Sequence, residues 1–271
     1  MSRVVRVNQP ESRPLRIAVI LGPGGASRYL LDQLRPLLAT DQNIELQGMF
    51  LEEAGVRKAA ELPFVKELCR VTFAVREFNS EQFERSLALR MRAARRALAV
   101  IAGHSGATHS FRNASGSAVD LMQEAVSEAD ITVFEPARPR MVSAISTAST
   151  TRHRPRVAAL LSDLKSGQDV LRIAINLADG NFGRMAVLLM PDPGVEVEDL
   201  RGLVSETLPG GPAHVRLIAE ADFKGIASTL REWLVSMFVV PATDRLTGEE
   251  ALQFLRAQIR CPVCMVRNWK A

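Results

Sequence analysis

The strongest constraint on the fold is that one pattern of residues occurs twice along the chain. The run Arg16–Leu21 (RIAVIL) recurs 140 positions later as Arg156–Leu161 (RVAALL). In each half a polar turn and a helical segment follow, and then a second apolar run, Ile44–Leu51 or Met185–Met190. A repeat on this scale predicts two related α/β units rather than one enzyme core with insertions.

The repeat continues further along the chain but becomes shorter. Asp130–Pro136 is echoed by Ser236–Pro241, and the offset has fallen to 106 positions from Ile131 to Met237. The second unit is therefore shorter, and we expect it to lack a counterpart of the long helix over Ser80–Ala102. Strands that alternate with helices through right-handed crossovers predict two tandem, doubly wound, mostly parallel α/β units.

Several boundaries follow from this pattern. Pro36 predicts a first helix that kinks or forms two short pieces, Val71–Phe78 predicts the third strand, and Gly103 predicts the end of the long helix. We also predict strands at Ile131–Phe134 and Val157–Leu161 and a short helix at Val197–Thr207. The divisions that we predict are an N-terminal tail at 1–14, a first unit at 15–136, a linker at 137–155 and a second unit at 156–271.

Composition narrows the class of protein. No apolar run approaches the roughly 20 residues that cross a membrane, and Met1–Pro14 has no apolar signal-peptide core. Three cysteines are too few for a secreted disulfide framework. We therefore expect a cytoplasmic protein without a membrane partner. A net charge of +4, from 34 basic and 30 acidic residues, does not by itself imply nucleic-acid binding.

A glycine-rich turn follows the first strand. The segment Gly22-Pro23-Gly24-Gly25-Ala26-Ser27 stands where a dinucleotide fingerprint occurs, but Ser27 replaces the third glycine and Pro23 removes an amide donor. The residues Gly22, Gly24, Gly25 and Ser27 are either an anion-binding turn or a tight strand-to-helix turn. An enzyme that uses this turn is our third functional hypothesis, and no general acid, base or nucleophile arrangement accompanies it.

The long helix carries a basic surface. No acid lies between Arg85 and Gly103, and four arginines fall opposite the apolar stripe at helical spacing. They are Arg85, Arg92, Arg95 and Arg96. This surface is the candidate for an acidic partner, and its alternative interpretation is a solvated helix face.

Cysteine and histidine patterns predict no catalytic or metal centre. Cys261 and Cys264 have the spacing of a redox pair, but they begin a strand rather than a helix, so we interpret them as structural. The histidines lack the spacing that is typical of zinc ligands. His104 and His109 each precede a serine, yet no acid stands at a spacing that would support a Ser–His–Asp triad.

The doubled order of elements resembles the tandem universal stress protein family. The closing run Ala257–Arg267, with its Cys-Pro-Val, is similar to that family's last helix turn and strand. Gly48–Glu52 and Ala129–Val133 are similar to the end of its second strand and the start of its fourth. The resemblance implies two doubly wound units.

This sequence departs from the family's nucleotide-binding members. The resemblance implies an Asp after the first strand and a glycine-rich phosphate loop after the fourth. Only the second unit offers the Asp, at Asp163, and neither unit has the loop. Pro136–Pro139 and Pro241–Glu250 stand in its place, and their prolines and acids disfavour phosphate. No cofactor is therefore expected, and ATP or AMP is the alternative, with Asp163 near the base and Thr243 or Thr247 near phosphate.

These observations support one leading function and one main alternative. The leading hypothesis is a divergent, tandem universal-stress-like protein without enzymatic activity, which acts through protein–protein contacts and self-association in a bacterial stress response. The alternative is a nucleotide-responsive binding module that uses the second unit.

Overall fold

The computed structural model describes residues 13–23, 27–39, 43–60, 62, 64–68, 72–137, 156–219 and 222–267. Its first half has the strands β1 (Leu15–Leu21), β2 (Ile44–Glu53), β3 (Lys66–Leu68), β4 (Val75–Glu77), β5 (Thr108–Gly116) and β6 (Ile131–Phe134). Its second half has β7 (Val157–Leu161), β8 (Met185–Leu189), β9 (His214–Leu217), β10 (Met237–Pro241) and β11 (Val263–Val266).

Ten helices alternate with these strands in the described chain. Those of the first half are α1 (Ser27–Gln33), α2 (Arg35–Leu38), α3 (Ala54–Ala60), α4 (Ser80–Ser105) and α5 (Ala118–Glu128). Those of the second half are α6 (Leu164–Leu177), α7 (Val197–Thr207), α8 (Phe223–Trp233), α9 (Asp244–Thr247) and α10 (Glu249–Gln258). None of the helices in the described part is long and apolar enough to cross a membrane.

Nine strands form one sheet in the order β5-β2-β1-β6-β11-β10-β7-β8-β9. Among the described strands, neighbours in this sheet are parallel except β6 and β11, which pair antiparallel with Val133 opposite Cys264. The two halves therefore meet at β6 and β11 and share one continuous mostly parallel sheet. The predicted α/β class is confirmed.

Helices cover both faces of the sheet. One hydrophobic cluster joins the sheet to α1, α2, α4, α6 and α7, and a second joins it to α5, α8, α9 and α10. The central strands β6, β7 and β10 are buried along their whole length. This explains their continuous apolar runs, because a strand that is covered on both faces has no solvent side.

Many predicted elements agree with the structure. The strands at Ile131–Phe134 and Val157–Leu161 and the helix at Val197–Thr207 have the predicted bounds. The first helix is in two pieces, α1 and α2, and Pro36 stands near the start of the second.

The prediction of the third strand was wrong. Of this run, Val75–Glu77 lie outside the main sheet and form an antiparallel hairpin with Lys66–Leu68. The third strand of the sheet is β5, which follows α4 and pairs parallel with β2. A parallel pair requires a long crossover, and only α4 supplies one here.

Two expectations about the long helix were also wrong. It ends at Gly106 rather than Gly103, because Gly106 adopts φ +71° and its amide donates to the carbonyl of Ala102. The second half does have a counterpart, α7, which stands between β8 and β9 as α4 stands between β2 and β5. It has 11 residues where α4 has 26.

The division of the chain into units stays a prediction. Most of the predicted tail, 1–12, and most of the predicted linker, 138–155, lie outside the described residues. In the described residues the two halves have the same strand order, which is β5-β2-β1-β6 in the first half and β9-β8-β7-β10 in the second.

Candidate functional site

The carboxyl ends of β7 and β10 hold the residues that we predicted for a nucleotide. Ligands of open parallel sheets bind at this edge, where the strand order reverses. Asp163 follows β7 and is the N-cap of α6. Its Oδ1 accepts a hydrogen bond from the Ser166 amide at 2.8 Å, and the Ser166 hydroxyl donates to its Oδ2. The carboxylate of Asp163 is therefore engaged with its own helix.

An ion pair crosses the end of β7. Arg245 follows β10, Asp192 follows β8, and their side chains pair at 3.1 Å while partly buried. Because β7 lies between β10 and β8, the pair passes over the carboxyl end of β7. The Asp192 amide also donates to the carbonyl of Ser162 at 2.9 Å. A ligand above β7 would have to displace this pair.

Two polar atoms beside this ion pair are buried without hydrogen-bond partners in the described part of the chain. They are the Thr243 Oγ1 and the Arg245 Nη2. Thr247 lies one turn further, at the end of α9, and its carbonyl accepts a hydrogen bond from the Gln123 side chain of α5 at 3.3 Å. Thr243 and Arg245 thus lie together at the strand edge, and Thr247 joins the second half to the first.

The glycine-rich turn is described only in part, because Gly24 and Gly25 lie outside the described residues. Ser27 begins α1. The Gly22 amide faces the buried carboxylate of Glu135 at 3.4 Å. A carboxylate at this amide disfavours a second anion there.

Arg90 of α4 holds the other side of this turn. Its Nη1 donates to the carbonyl of Pro23 at 2.6 Å, and it lines two cavities, of about 390 Å³ and about 570 Å³. Both cavities therefore belong to the first half, beside the end of β1.

The smaller cavity lies between the hairpin β3–β4 and the start of α4, and its charged side chains other than Arg90 form ion pairs. Arg57 pairs with Glu52 at 2.5 Å, and Arg76 pairs with Glu67 at 2.8 Å. The hydrogen bond from Arg76 lowers the pKa of the Glu67 carboxyl. Paired charges leave this cavity little attraction for a charged ligand.

The larger cavity is a groove between α1 and α4, and we call it the arginine groove. Four arginines line it: Arg28, Arg35, Arg90 and Arg96. Asp32 is the one carboxylate among its lining residues. The groove therefore carries an excess of positive charge.

The predicted acidic-partner surface is divided between two sides of α4. Arg85 pairs with Glu81 at 2.5 Å, whereas Arg92 and Arg95 are exposed and make no ion pair with a described residue. Arg96 lines the arginine groove with Arg90. Arg28 and Arg35 were not among the predicted residues. Their spacing of seven places them on one side of α1 and α2, but only the packing of α1 beside α4 makes that side part of a groove.

The hairpin exposes apolar side chains that the sequence analysis did not single out. Leu62, Phe64, Leu68, Phe73 and Val75 are all more than half exposed, and the two phenylalanines reach 94% and 73%. Phe64 and Phe73 also have positive φ angles of 68° and 55°. Such a backbone costs on the order of 1–3 kcal/mol for a non-glycine residue. Because β4 was predicted as a strand of the main sheet, exposed apolar side chains were not expected here.

The cysteine and histidine side chains form no reactive centre in the described part of the chain. Cys261 and Cys264 are buried as thiols, and burial raises the pKa of the Cys264 thiol to about 12. The His104 ring bonds to the carbonyl of Val100 at 2.7 Å. No described group of three or more histidines, cysteines or acids is arranged to hold a metal ion.

The fold is similar to that of solved universal stress proteins. A universal stress protein from Archaeoglobus fulgidus DSM 4304 matches with a TM-score of 0.50 and 12% identity, over 93% of this chain and 96% of that one. A protein from Pseudomonas aeruginosa UCBPP-PA14 assigned to the universal stress proteins matches at 0.43 and 10%, over 93% and 92%. The cytoplasmic domain of a prokaryotic cation chloride cotransporter matches at 0.43 and 9%, over 95% and 96%.

No protein-family model and no curated protein sequence matches the chain. At 12% identity, the likeness to the Archaeoglobus protein concerns the fold alone. The chain therefore has a universal-stress-protein-like α/β fold, in which one mostly parallel sheet carries helices on both faces.

Proposed function

We propose that this chain is a cytoplasmic protein of the universal-stress type, without enzymatic activity, that acts through contacts with other proteins in a bacterial stress response. The observation that carries the proposal is the hairpin β3–β4, which presents apolar side chains to solvent beside α4. The fold likeness supports the stress-related part.

The exposed hairpin favours a protein partner for an energetic reason. Burying a Phe side chain contributes about 1.5–3 kcal/mol of favourable free energy. Phe64 and Phe73 are exposed in the unbound chain, so a partner that covers both would gain several kcal/mol of binding free energy. Leu68 and Val75, which lie opposite each other in the hairpin, are also more than half exposed, and exposed apolar side chains of this kind are typical of interaction sites. Arg92 and Arg95 of α4, which make no ion pair within the described part of the chain, add an electrostatic preference for an acidic partner.

Site-specific photo-cross-linking tests this proposal. A photoreactive residue at Phe64 should give a cross-linked protein adduct of defined mass in cells, and the adduct should disappear when Phe73→Ser is added. The matched control carries the photoreactive residue at Arg172, which is exposed on α6 away from the hairpin. Adducts of equal yield from both positions, or none from either, would contradict the proposed contact.

Stress survival tests the remaining part. A strain that carries Phe64→Ser and Phe73→Ser in place of the natural gene should survive starvation or oxidative stress as poorly as a deletion strain. Survival equal to that of the unmodified strain would argue against a stress role through this surface.

A nucleotide-responsive role of the second unit is the second candidate. It is favoured by the Thr243 Oγ1 and the Arg245 Nη2, which are buried without a hydrogen-bond partner among the described residues and suit an anion at the strand edge. In this role Asp163 lies toward the base and Thr243 or Thr247 toward phosphate. The Arg245–Asp192 ion pair opposes it, because the ligand must break that pair.

Equilibrium dialysis with ATP and AMP separates the two candidates. Under the leading proposal, the purified protein should bind neither ATP nor AMP tightly. Tight binding would contradict the expectation that the protein needs no nucleotide. If a nucleotide does bind, Asp192→Ala should strengthen the binding by opening the crevice, and Asp163→Ala should weaken it. If neither variant changes the nucleotide affinity, the nucleotide binds at another place on the protein.

A further inference from the structure

We propose that the arginine groove seats an acidic, amphipathic helix of a partner protein. The inference names the chemistry of the partner and a second contact surface for it, and so rests on the proposed protein-binding function. The charge, the surface shape and the length of the groove each favour such a helix.

The charge of the groove calls for carboxylates. The guanidinium groups of Arg28, Arg35 and Arg96 make no hydrogen bond or ion pair with any described residue, and Arg90 uses one nitrogen on the carbonyl of Pro23. Like charges around one groove repel one another. Partner carboxylates would relieve this repulsion and match the planar, forked donors of arginine.

The floor of the groove suits a helix. On α4, Ala93, Ala97 and Val100 line the groove at helical spacing, and Val100 is 51% exposed. This apolar line differs from the buried line through Leu98 that packs on the sheet. The small side chains of Ala93 and Ala97 allow another helix to approach closely, since interaxial distance follows the size of the side chains at the contact.

The length of the groove favours a helix over a small molecule. Its lining on α4 runs from Arg90 to His104, which is about 21 Å at the helical rise. An amphipathic helix of four turns would place apolar residues at i, i+4 and i+7 along this line and acids at its edges.

The chain's own undescribed segments are poor occupants because their charge has the wrong sign. Residues 138–155 contain four arginines and no acid, and residues 1–12 contain two arginines and one glutamate. Neither segment would neutralise the groove, so the occupant should come from another protein.

Selection from random peptides tests the inference. A displayed library of random peptides of about 16 residues is selected on the intact protein, and an enriched peptide is measured by fluorescence anisotropy. We expect enriched sequences with acids flanking an apolar helical line. Arg28→Glu/Arg35→Glu/Arg96→Glu should weaken binding at least about ten-fold, and Arg172→Glu/Arg231→Glu/Arg260→Glu, an equal charge change on exposed arginines of the second half, should not.

A steric variant separates seating in the groove from general attraction. Ala93→Arg adds positive charge but fills the exposed floor, so it should also weaken binding about ten-fold if the peptide lies there. Tighter binding by Ala93→Arg, enrichment of peptides without acids, or no enrichment would overturn the inference. So would a dimer, measured by sedimentation, that the groove variants abolish, because the occupant would then be a second copy.

The groove inference and the proposed function depend on different surfaces, so separate variants test them. Phe64→Ser/Phe73→Ser changes the hairpin and should leave the peptide affinity within about two-fold of the unmodified protein. A result in which the hairpin adduct forms in cells while the groove variants leave the affinity for the peptide unchanged would contradict the groove inference. It would leave the proposed function supported.

Discussion

Asp163 shows how one residue carries different meanings in the sequence and in the structure. Its position after the first strand of the second half matches the Asp of the nucleotide-binding universal stress proteins that the sequence resembles, and this led to its prediction as a base contact. In the structure its carboxylate accepts hydrogen bonds from Ser166 and caps α6. An N-cap stabilises a helix whether or not a ligand is present, so the capping role needs its own test.

Replacing Asp163 should cost stability through the lost cap. We expect Asp163→Ala to lower the free energy of unfolding by about 1 kcal/mol, because the Ser166 amide loses its acceptor. Asp163→Asn retains an acceptor oxygen and should recover most of this loss. Urea unfolding measures both variants. Equal stability of the alanine variant and the unmodified protein would show that the cap contributes nothing.

Buried thiols should be chemically silent. Cys264 is fully buried and burial raises its pKa to about 12, so the reactive thiolate is scarce at neutral pH. In a Cys69→Ser background, we expect DTNB to modify neither Cys261 nor Cys264 in the folded protein and both at once in guanidinium. Rapid modification of the folded protein would instead favour a redox role for the pair.

The same thiol predicts an alkaline loss of stability. The unfolded thiol ionises near its ordinary pKa of 9.0, whereas the folded thiol stays protonated to about 12. Its contribution is therefore fully present below pH 9 and is lost as the pH rises toward 12. Cys264→Val removes this titration, and urea unfolding between pH 8 and pH 11 should show a flatter decline than in the unmodified protein. An identical decline would assign the loss to other groups.

At the scale of elements, the packing of α4 on the sheet depends on one glycine of β2. A Cβ at Gly48 would lie 2.7 Å from the Leu98 Cδ2 of α4 and 2.8 Å from the Phe111 Cδ2 of β5. Both distances are shorter than van der Waals contact. Gly48 thus permits helix and strands to pack closely at this point.

Filling that position should strain all three elements. We expect Gly48→Ala to destabilise the protein by about 1–3 kcal/mol, as overpacked cores do. Phe111→Leu should relieve part of this cost, so that the double variant is more stable than the sum of the single changes. Gly103→Ala is the matched control, because a Cβ there meets nothing within 4 Å. Chemical denaturation of all four variants measures the coupling, and strict additivity would disprove the close contact.

At the scale of the whole molecule, the pair β6–β11 makes one sheet from the two halves. Further bonds cross the same junction: the Arg156 guanidinium donates to Gln33 at 3.3 Å, and the Ala137 amide donates to the carbonyl of Arg256 at 2.8 Å. Because the central strands are buried against both halves, separating the halves would expose apolar strands to water. The halves should therefore unfold together.

Two probes test this cooperativity. In a Trp269→Phe background, Trp233 fluorescence reports the second half, and far-UV circular dichroism reports the whole chain. We expect their urea transitions to coincide. Thr132→Val, which removes a buried hydroxyl without a partner in the described chain, should raise both midpoints equally, by about 1 kcal/mol in stability. A separate early transition, or a shift seen by one probe alone, would indicate independent halves.

Local patterns in the sequence determined much of the secondary structure. The continuous apolar runs of β6 and β7 and the helical spacing of α7 have the predicted bounds, because burial on both faces and amphipathic spacing are visible within a few residues. The repeat also predicted the α/β class. The same local signals led to the error at Val71–Phe78, where a short alternating run pairs within a hairpin instead of entering the sheet.

Only the tertiary structure decided which distant residues meet. The antiparallel joining of β6 to β11, the Arg245–Asp192 ion pair over β7 and the arginine groove between α1 and α4 each unite residues more than 50 positions apart. No local period carries that information, since such contacts depend on strand order and on how helices pack. The repeat itself determined two similar halves, and the packing made them one sheet with both described cavities in the first half.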